Sequence, residues 1–317
     1  MEYVYAVYQE GSISAAAKKL FMTQPALSMA IRRVENKLGE TLFDRSQHPL
    51  QLTSVGKIYI QKYREIKYLE RELDNQIHDL HKLQQGELVL GGTQFILSYV
   101  LAPVFAEFSK QYPNISIQIL ETRSDRAMQL LLDGRIDTCL RCSTPPPTIT
   151  PIDFAFQDHL LIAVPKHYLA QYDLPPGALT LDMVRQDAYL SDAHPGISFE
   201  HLGKLPYVLL SDGNNLRSRF LALCQEHGVT PNISIESEQL TTSFYLANSG
   251  LGATCASVMM IKKSISDNLV FYKINSPLLV RDFYFAGRHK GYVSKATTRF
   301  IRLCQAHYQI PNPTPMD

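Results

Sequence analysis

The sequence predicts an α/β protein of several domains: a small helical headpiece, one long helix and a two-lobed α/β body. Three observations predict it. Before residue 40, two short helical patterns are joined by a tight turn, and a pair of short strand patterns follows. Between Val55 and Gln84 there is no proline and a single glycine, Gly56, under an apolar seam of period seven. After Gly86, strand and helix patterns alternate to the end of the chain. At 317 residues the chain is longer than one hydrophobic core usually serves.

The first helix is expected over Glu2–Glu10, ending at Gly11, with Val4, Val7 and Tyr8 on its buried face. Ser12 or Ser14 caps the second, Ala15–Leu20. Phe21 and Met22 make the turn. Thr23 caps the third helix, and Pro25 falls in its first turn, where a missing N–H costs little. Leu27, Ile31, Val34 and Leu38 form its inward stripe, and Gly39 ends it. Gln24, Pro25, Ser28, Met29 and Arg32 then lie on the other side. Strands are expected at Thr41–Arg45 and Leu50–Thr53, with a turn at Ser46–Pro49.

This is a winged helix-turn-helix, with the helix-turn-helix at about residues 13–33, a shape that lays one helix in a DNA major groove. Gln24 suits adenine, Arg32 guanine or phosphate, and Ser28 either a base or a phosphate. Ser14, Thr23 and Arg33 complete the candidate DNA contacts on the helices, and Arg45 and His48 are the candidates on the wing. A plain solvated helix face and a plain exposed hairpin are the competing readings. Residues 1–60 carry seven lysines and arginines against five acidic residues, so DNA binding rests on the placement of charge rather than its amount.

The pattern S-x-S-A-A-A-K-K-L-x-x-x-Q-P-A-L-S-x-x-I-x-x-V-E-x-x-L-G-x-x-L-F-x-R…L-T-x-x-G, over about fifty residues from Ser12, resembles the N-terminal domain of LysR-type transcriptional regulators. The resemblance implies groove-facing roles for Gln24, Pro25 and Ser28 and a wing role for Arg45. It also implies duplex promoter DNA with a near-palindromic site, a small-molecule effector, self-association as a dimer or tetramer, and RNA polymerase as a partner. Two positions depart from the family pattern. Met29 stands where the family often has a basic or polar residue, and His48 where it often has arginine. Each removes a permanent charge.

On the long helix, Tyr59, Ile66, Leu73 and Leu80 recur every seven residues, with Tyr63, Leu69, Ile77 and Leu83 near the second seam position. Such a seam packs either on the next domain of its own chain or, as favoured here, on its twin from another subunit. His78 and His81 lie three apart without further ligands and read as surface residues.

In the body, strands are expected at Glu87–Gly91, Ile115–Glu121, Thr138–Cys142, Leu160–Pro165, Tyr207–Leu210, Ile233–Glu238, Leu269–Ile274 and Arg281–Ala286. Helices are expected at Ile96–Tyr112, Arg126–Asp133, Asn215–His227, Thr241–Ser249 and Ala296–Gln309, with a loop at Thr144–Pro151. The early alternation argues a parallel α/β arrangement. The segments L-V-L-G-G-T, Q-Y-P-N-I, L-L-L-D-G-R-I-D and S-G-L-G-A resemble the effector domain of LysR-type regulators, which is periplasmic-binding-protein-like (type 2); Tyr189–Leu205 looks irregular. The expected division is 1–57 for DNA, 58–86 for the linker helix, 87–160 with 267–310 for lobe I, 161–266 for lobe II, and 311–317 as a tail.

Ligands of open α/β sheets sit beyond the strands' carboxyl ends, near helix N-termini. That nominates Gly92, Thr93, Gln94, Phe95, Arg141 and Ser143 on lobe I, and Ser211, Asn214, Asn215 and Thr241 on lobe II. Exposed N–H groups with hydroxyls and amides favour a small anion such as a carboxylate. Ordinary helix capping is the competing reading.

Other chemistry is expected to be absent. No P-loop, GxGxxG after a strand, HExxH or Ser-His-Asp arrangement is legible, so no enzyme, cofactor or metal is expected. Cys139-x-x-Cys142 lies in a strand pattern and lacks the second pair that zinc needs. Five scattered cysteines suit a reducing cytoplasm. No apolar run approaches ~18 residues, so no membrane span is expected, and MEYVYAVYQEG lacks the features of a signal peptide. The alternative function is a cytosolic solute-binding or enzyme-like α/β protein whose N-terminal domain serves association only. Against a non-specific architectural DNA protein stands the mild local charge of residues 1–60, seven lysines and arginines against five acidic residues.

Overall fold

A computed structural model describes residues 1–46, 49–80, 86–142, 149–289 and 291–308. The chain divides into two units: residues 1–80 with the 132–135 turn, and the remainder.

The first unit contains α1 (Glu2–Glu10), α2 (Ile13–Lys19), α3 (Gln24–Leu38), β1 (Phe43–Asp44), β2 (Gln51–Leu52) and α4 (Ser54–Leu80). Ser12 is the cap of α2, accepting the Ala15 N–H at 3.4 Å. The helix therefore starts two residues earlier than expected, and Ser14 lies inside its first turn. Thr23 caps α3 by accepting the Ala26 N–H at 3.4 Å. Leu27 and Ile31 are buried. Leu38 is not: it is 45% exposed, and the inward position in the last turns belongs to Glu35, at 6%. The reason is a backbone demand. The chain returning toward β1 presents the Leu42 N–H to this face, and Glu35 Oε1 accepts it at 2.9 Å while Oε2 pairs with Arg45 at 2.9 Å. The wing strands are two residues each, shorter than expected, paired antiparallel as Phe43↔Leu52 and Asp44↔Gln51.

Helix α4 changes character along its 27 residues. Ile60 and Tyr63 are buried and Tyr59 packs on the headpiece core, with Tyr63 set against Tyr5 at 5.0 Å between ring centroids. Tyr59 and Tyr63 thus face their own chain and leave the expected intersubunit seam. Beyond them Ile66, Leu69, Leu73 and Ile77 are 43–62% exposed. The side chains of His78 and Leu80, and residues His81 and Leu83, lie outside what the structure describes. Gly56, in the first turn, tolerates no side chain, because a Cβ there would stand 2.0 Å from the Leu42 carbonyl oxygen.

The second unit begins with β3 (Gly86–Gly92), a π-helical turn at Ile96–Leu101, α5 (Ala102–Gln111), β4 (Ile115–Glu121), α6 (Ser124–Leu132) and β5 (Thr138–Arg141). Then come β6 (Ile149–Pro165), α7 (Tyr168–Gln171), α8 (Leu181–Arg185), β7 (Pro206–Leu210), α9 (Asn215–Glu226) and β8 (Asn232–Ser237). The unit closes with α10 (Leu240–Asn248), β9 (Thr254–Ser257), α11 (Val258–Ile261), β10 (Leu269–Tyr272), β11 (Val280–Arg288) and α12 (Lys295–His307).

The pairing is mixed rather than purely parallel. β3 runs parallel to β4 and β5, and β7 parallel to β8. β11 is antiparallel to β5 and β6, and β6 is antiparallel to β9 and β10. The largest departure is β6 itself. Only Leu160–Pro165 reads as a strand, with a loop through Pro151, yet the strand runs 17 residues from Ile149. Pro151 contributes no ladder N–H, and a register shift in the β11 partner lies beside it, between Phe285 and Ala286. β9 has no apolar alternation to betray it: its residues Thr-Cys-Ala-Ser are small and all buried. Tyr189–Leu205 contains two short 3₁₀ turns. One continuous apolar core joins the helices to both sheets.

Glu35→Leu places an apolar side chain inward but leaves the Leu42 N–H without its acceptor. It should destabilise the headpiece by about 1–3 kcal/mol in thermal unfolding, whereas Glu35→Gln should lose less than half of that.

Candidate functional site

Two places gather the residues singled out by sequence. The first is the outer face of α3. Gln24, Pro25, Met29, Arg32 and Arg33 are exposed and Ser28 is half-buried. Thr23 is exposed, with its hydroxyl engaged in the cap, and Ser14 is exposed on α2. Arg45 is partly exposed and its guanidinium rests on Glu35. His48 lies outside the described residues. The turn before α3 holds Phe21, 99% exposed with φ 54, a left-handed conformation uncommon for an aromatic residue.

The second place is a cavity of about 130 Å³ between the carboxyl ends of β3 and β5 and those of β7 and β8. Gly92, Thr93, Phe95, Arg141, Ser211, Asn214 and Asn215 line it. Gln94 and Thr241 do not. The Thr241 hydroxyl donates to Gln94 Oε1 at 2.6 Å, so the two form a bridge between the segment after β3 and α10. Ser143 lies outside the described residues. Several nominated side chains are already engaged. Asn214 Oδ1 accepts the Leu216 N–H at 2.9 Å as the cap of α9. Asn215 Oδ1 accepts from Arg219 at 3.1 Å and from the Cys142 thiol at 3.3 Å. The Ser211 hydroxyl donates to the Ser237 carbonyl at 3.2 Å. Capping thus accounts for part of this set, and backbone N–H groups remain the donors that helix starts at Ser124, Asn215 and Leu240 bring to the rim.

Sequence reasoning missed the most buried charge of the cavity. Arg281, 5% exposed, stands between the rings of Phe95 and Phe283, 5.8 and 5.1 Å from their centroids. Its Nε donates to Asp158 Oδ2 at 3.2 Å and its Nη2 donates to the same oxygen. Asp158 Oδ1 accepts the Ser257 hydroxyl at 2.7 Å. Burial, the largest single influence, disfavours the charged guanidinium, but the Asp158 charge and hydrogen bonds together with the nearby Cys142 and Cys255 thiols outweigh it and raise the Arg281 pKa. No signal in the sequence joins residues 123 positions apart. Arg123 was missed as well. It bridges the mouth, reaching Glu238 at 3.4 Å and the Asp212 carbonyl at 3.5 Å.

Among the described residues, no group of His, Cys, Asp and Glu is arranged to hold a metal ion. All five cysteines are free. Burial pushes the Cys139 thiol up to about 11, so this member of the Cys-x-x-Cys pair stays protonated at neutral pH. A larger cavity of about 250 Å³, with Tyr99, Tyr189, Met259, Lys262, Lys263 and Tyr308 in its wall, lies elsewhere in the unit and gathers none of the nominated residues.

Residues 1–57 match the family described as bacterial regulatory helix-turn-helix protein, lysR family, and residues 81–309 match the LysR substrate binding domain. The chain belongs to the LysR family. It is 27% identical over 311 residues to YcgK of Bacillus subtilis, named as an uncharacterized HTH-type transcriptional regulator, covering 96% of this chain and 92% of the relative. It is 28% identical over 305 residues to a probable RuBisCO transcriptional regulator of Cyanidioschyzon merolae, covering 94% and 93%. Full-length CbnR in complex with its target DNA shares the fold, with a TM-score of 0.65 at 19% identity over 96% of this chain and 97% of that one. As a LysR-family regulator, the chain joins a DNA-binding helix-turn-helix to an effector-binding domain. No helix among its described residues is long and apolar enough to cross a membrane.

Asp158→Asn removes one partner of a buried ion pair and should lower stability by about 3–5 kcal/mol in denaturant unfolding. Asp158→Leu combined with Arg281→Met removes both charges and should recover most of that loss. A double variant as unstable as Asp158→Asn would show that packing, not the pair, governs this site.

Proposed function

We propose that the chain is a cytoplasmic, homo-oligomeric transcriptional regulator without enzymatic activity. It reads a near-palindromic DNA site with α3 and responds to a small anion in the 130 Å³ cavity. The observation that carries the DNA reading is the polarity of α3. Its buried stripe turns Gln24, Pro25, Arg32 and Arg33 outward on a helix held by a helix-turn-helix, with Ser28 at the border. In this reading residues 1–57 bind DNA, 58–86 link subunits, and 87–160 with 267–310 and 161–266 are the two effector lobes.

Self-association is supported by Ile66, Leu69, Leu73 and Ile77 of α4, an apolar strip exposed on a single chain. Pairing this strip with its twin would bring two copies of α3 to two half-sites. The anionic character of the effector is supported by three helix N-termini at the cavity rim, where N–H groups and helix dipoles favour negative charge. Arg141 stands in the same wall. RNA polymerase is the partner through which a regulator of this family would act.

The test is a gel shift of the full chain on its selected operator over a range of salt concentrations. Gln24→Ala, Ser28→Ala and Arg32→Ala together should weaken specific binding by about 100-fold or more, leaving weak salt-sensitive binding. Unchanged specific binding would mean that the N-terminal unit serves association only. Leu73→Glu should convert the oligomer toward monomer in sedimentation, without loss of helix by circular dichroism.

A further inference from the structure

Met29 lies on the side of α3 opposite its buried stripe. An α-helix turns about 100° per residue, which sets Met29 opposite Leu27, Ile31 and Glu35. Its neighbours on the surface are Pro25 at i−4, Arg32 at i+3 and Arg33 at i+4, all exposed. The methionine is 55% exposed and is not among the side chains packed on the headpiece core. A scattered apolar residue on a surface needs no explanation. This one stands on the exposed face of the helix proposed to read base edges, beside two arginines and a proline.

A thioether chain there has neither a charge for phosphate nor a donor for a purine edge. One feature of the major groove suits it. Thymine alone among the four bases presents a methyl group, at C5. The flanking Arg32 and Arg33 are of the type that holds phosphates and so fixes the depth of the helix. We infer that Met29 recognises a thymine C5-methyl in each half-site, making this protein selective for thymine at a base pair where a basic side chain would favour guanine or a phosphate. The inference rests on α3 being the DNA-reading helix.

The experiment uses operators that the full-length chain selects from a random duplex pool. Each thymine of the half-site is replaced in turn by dU, which removes only the methyl. At one position, dU should weaken wild-type binding about fourfold per half-site, the effect of one methyl returned to water, and about fifteenfold when both half-sites are changed. Met29→Ala should bind the unmodified operator correspondingly weakly and should no longer distinguish thymine from dU. The salt dependence of Met29→Ala should equal that of wild type, since no phosphate contact is lost, while Met29→Arg should steepen it by about one unit of slope.

The inference is overturned if no thymine responds to dU. It is overturned equally if the response persists in Met29→Ala, or disappears in Pro25→Ala but not in Met29→Ala, which would assign the methyl contact to proline. Failure of the wild-type chain to select any sequence would overturn the reading of α3 itself, and this inference with it.

Discussion

The carboxylate of Asp158 sits where β6 changes partners. Up to His159 the strand pairs with β11, and from Leu160 it pairs with β9 and then β10. Asp158 lies directly opposite Arg281 in the β11 ladder and also accepts the hydroxyl of Ser257 at the end of β9. One fully buried acid therefore ties together three strands that belong to different sheet regions. A buried charge is tolerated only with its partner and hydrogen bonds in place, so the arrangement is intolerant of slippage. Arg281 is also part of the cavity wall. The back of the proposed effector site is thus fixed by the same interaction that fixes the path of β6.

How much of this was legible in the sequence depends on whether the cause is local. The headpiece helices could be read almost residue by residue, because caps such as Thr23 and Gly39 act within one turn. The seam of α4 was legible as periodicity, but not the point at which it turns from its own chain toward solvent, because that depends on where α1 lies. β6 was half hidden, since Pro151 disguises a strand whose ladder is supplied by residues more than 120 positions away. In the cavity, Gly92 and polar residues after strands, such as Thr93, Ser211 and Asn214, were found by topology. Arg281 and Asp158 were not, because each is one ordinary residue in its own segment. Gln94 and Thr241 were nominated for the right kind of place, but they bind each other.

Helix α3 inverts the usual polarity rule twice, for two different reasons. Glu35 points inward because a backbone N–H of the wing needs an acceptor there. Met29 points outward because the face it occupies is not packed at all. A simple apolar-stripe reading takes the first for a surface residue and the inward-counted Leu38 for a core one. Both exceptions lie on α3, the helix proposed to read DNA, and each has a cause that an apolar-stripe count does not see.

The central claim is that one chain couples a ligand cavity to a DNA-reading helix. Thermodynamic linkage tests it most directly. A small carboxylate that raises the thermal midpoint of the full chain is added at saturation, and the affinity for the selected operator is measured with and without it. The account predicts a change of about five-fold or more, with the same factor appearing in the carboxylate's own affinity when operator is present. A carboxylate that binds and stabilises the chain yet leaves operator affinity unchanged, across every such ligand found, would contradict it.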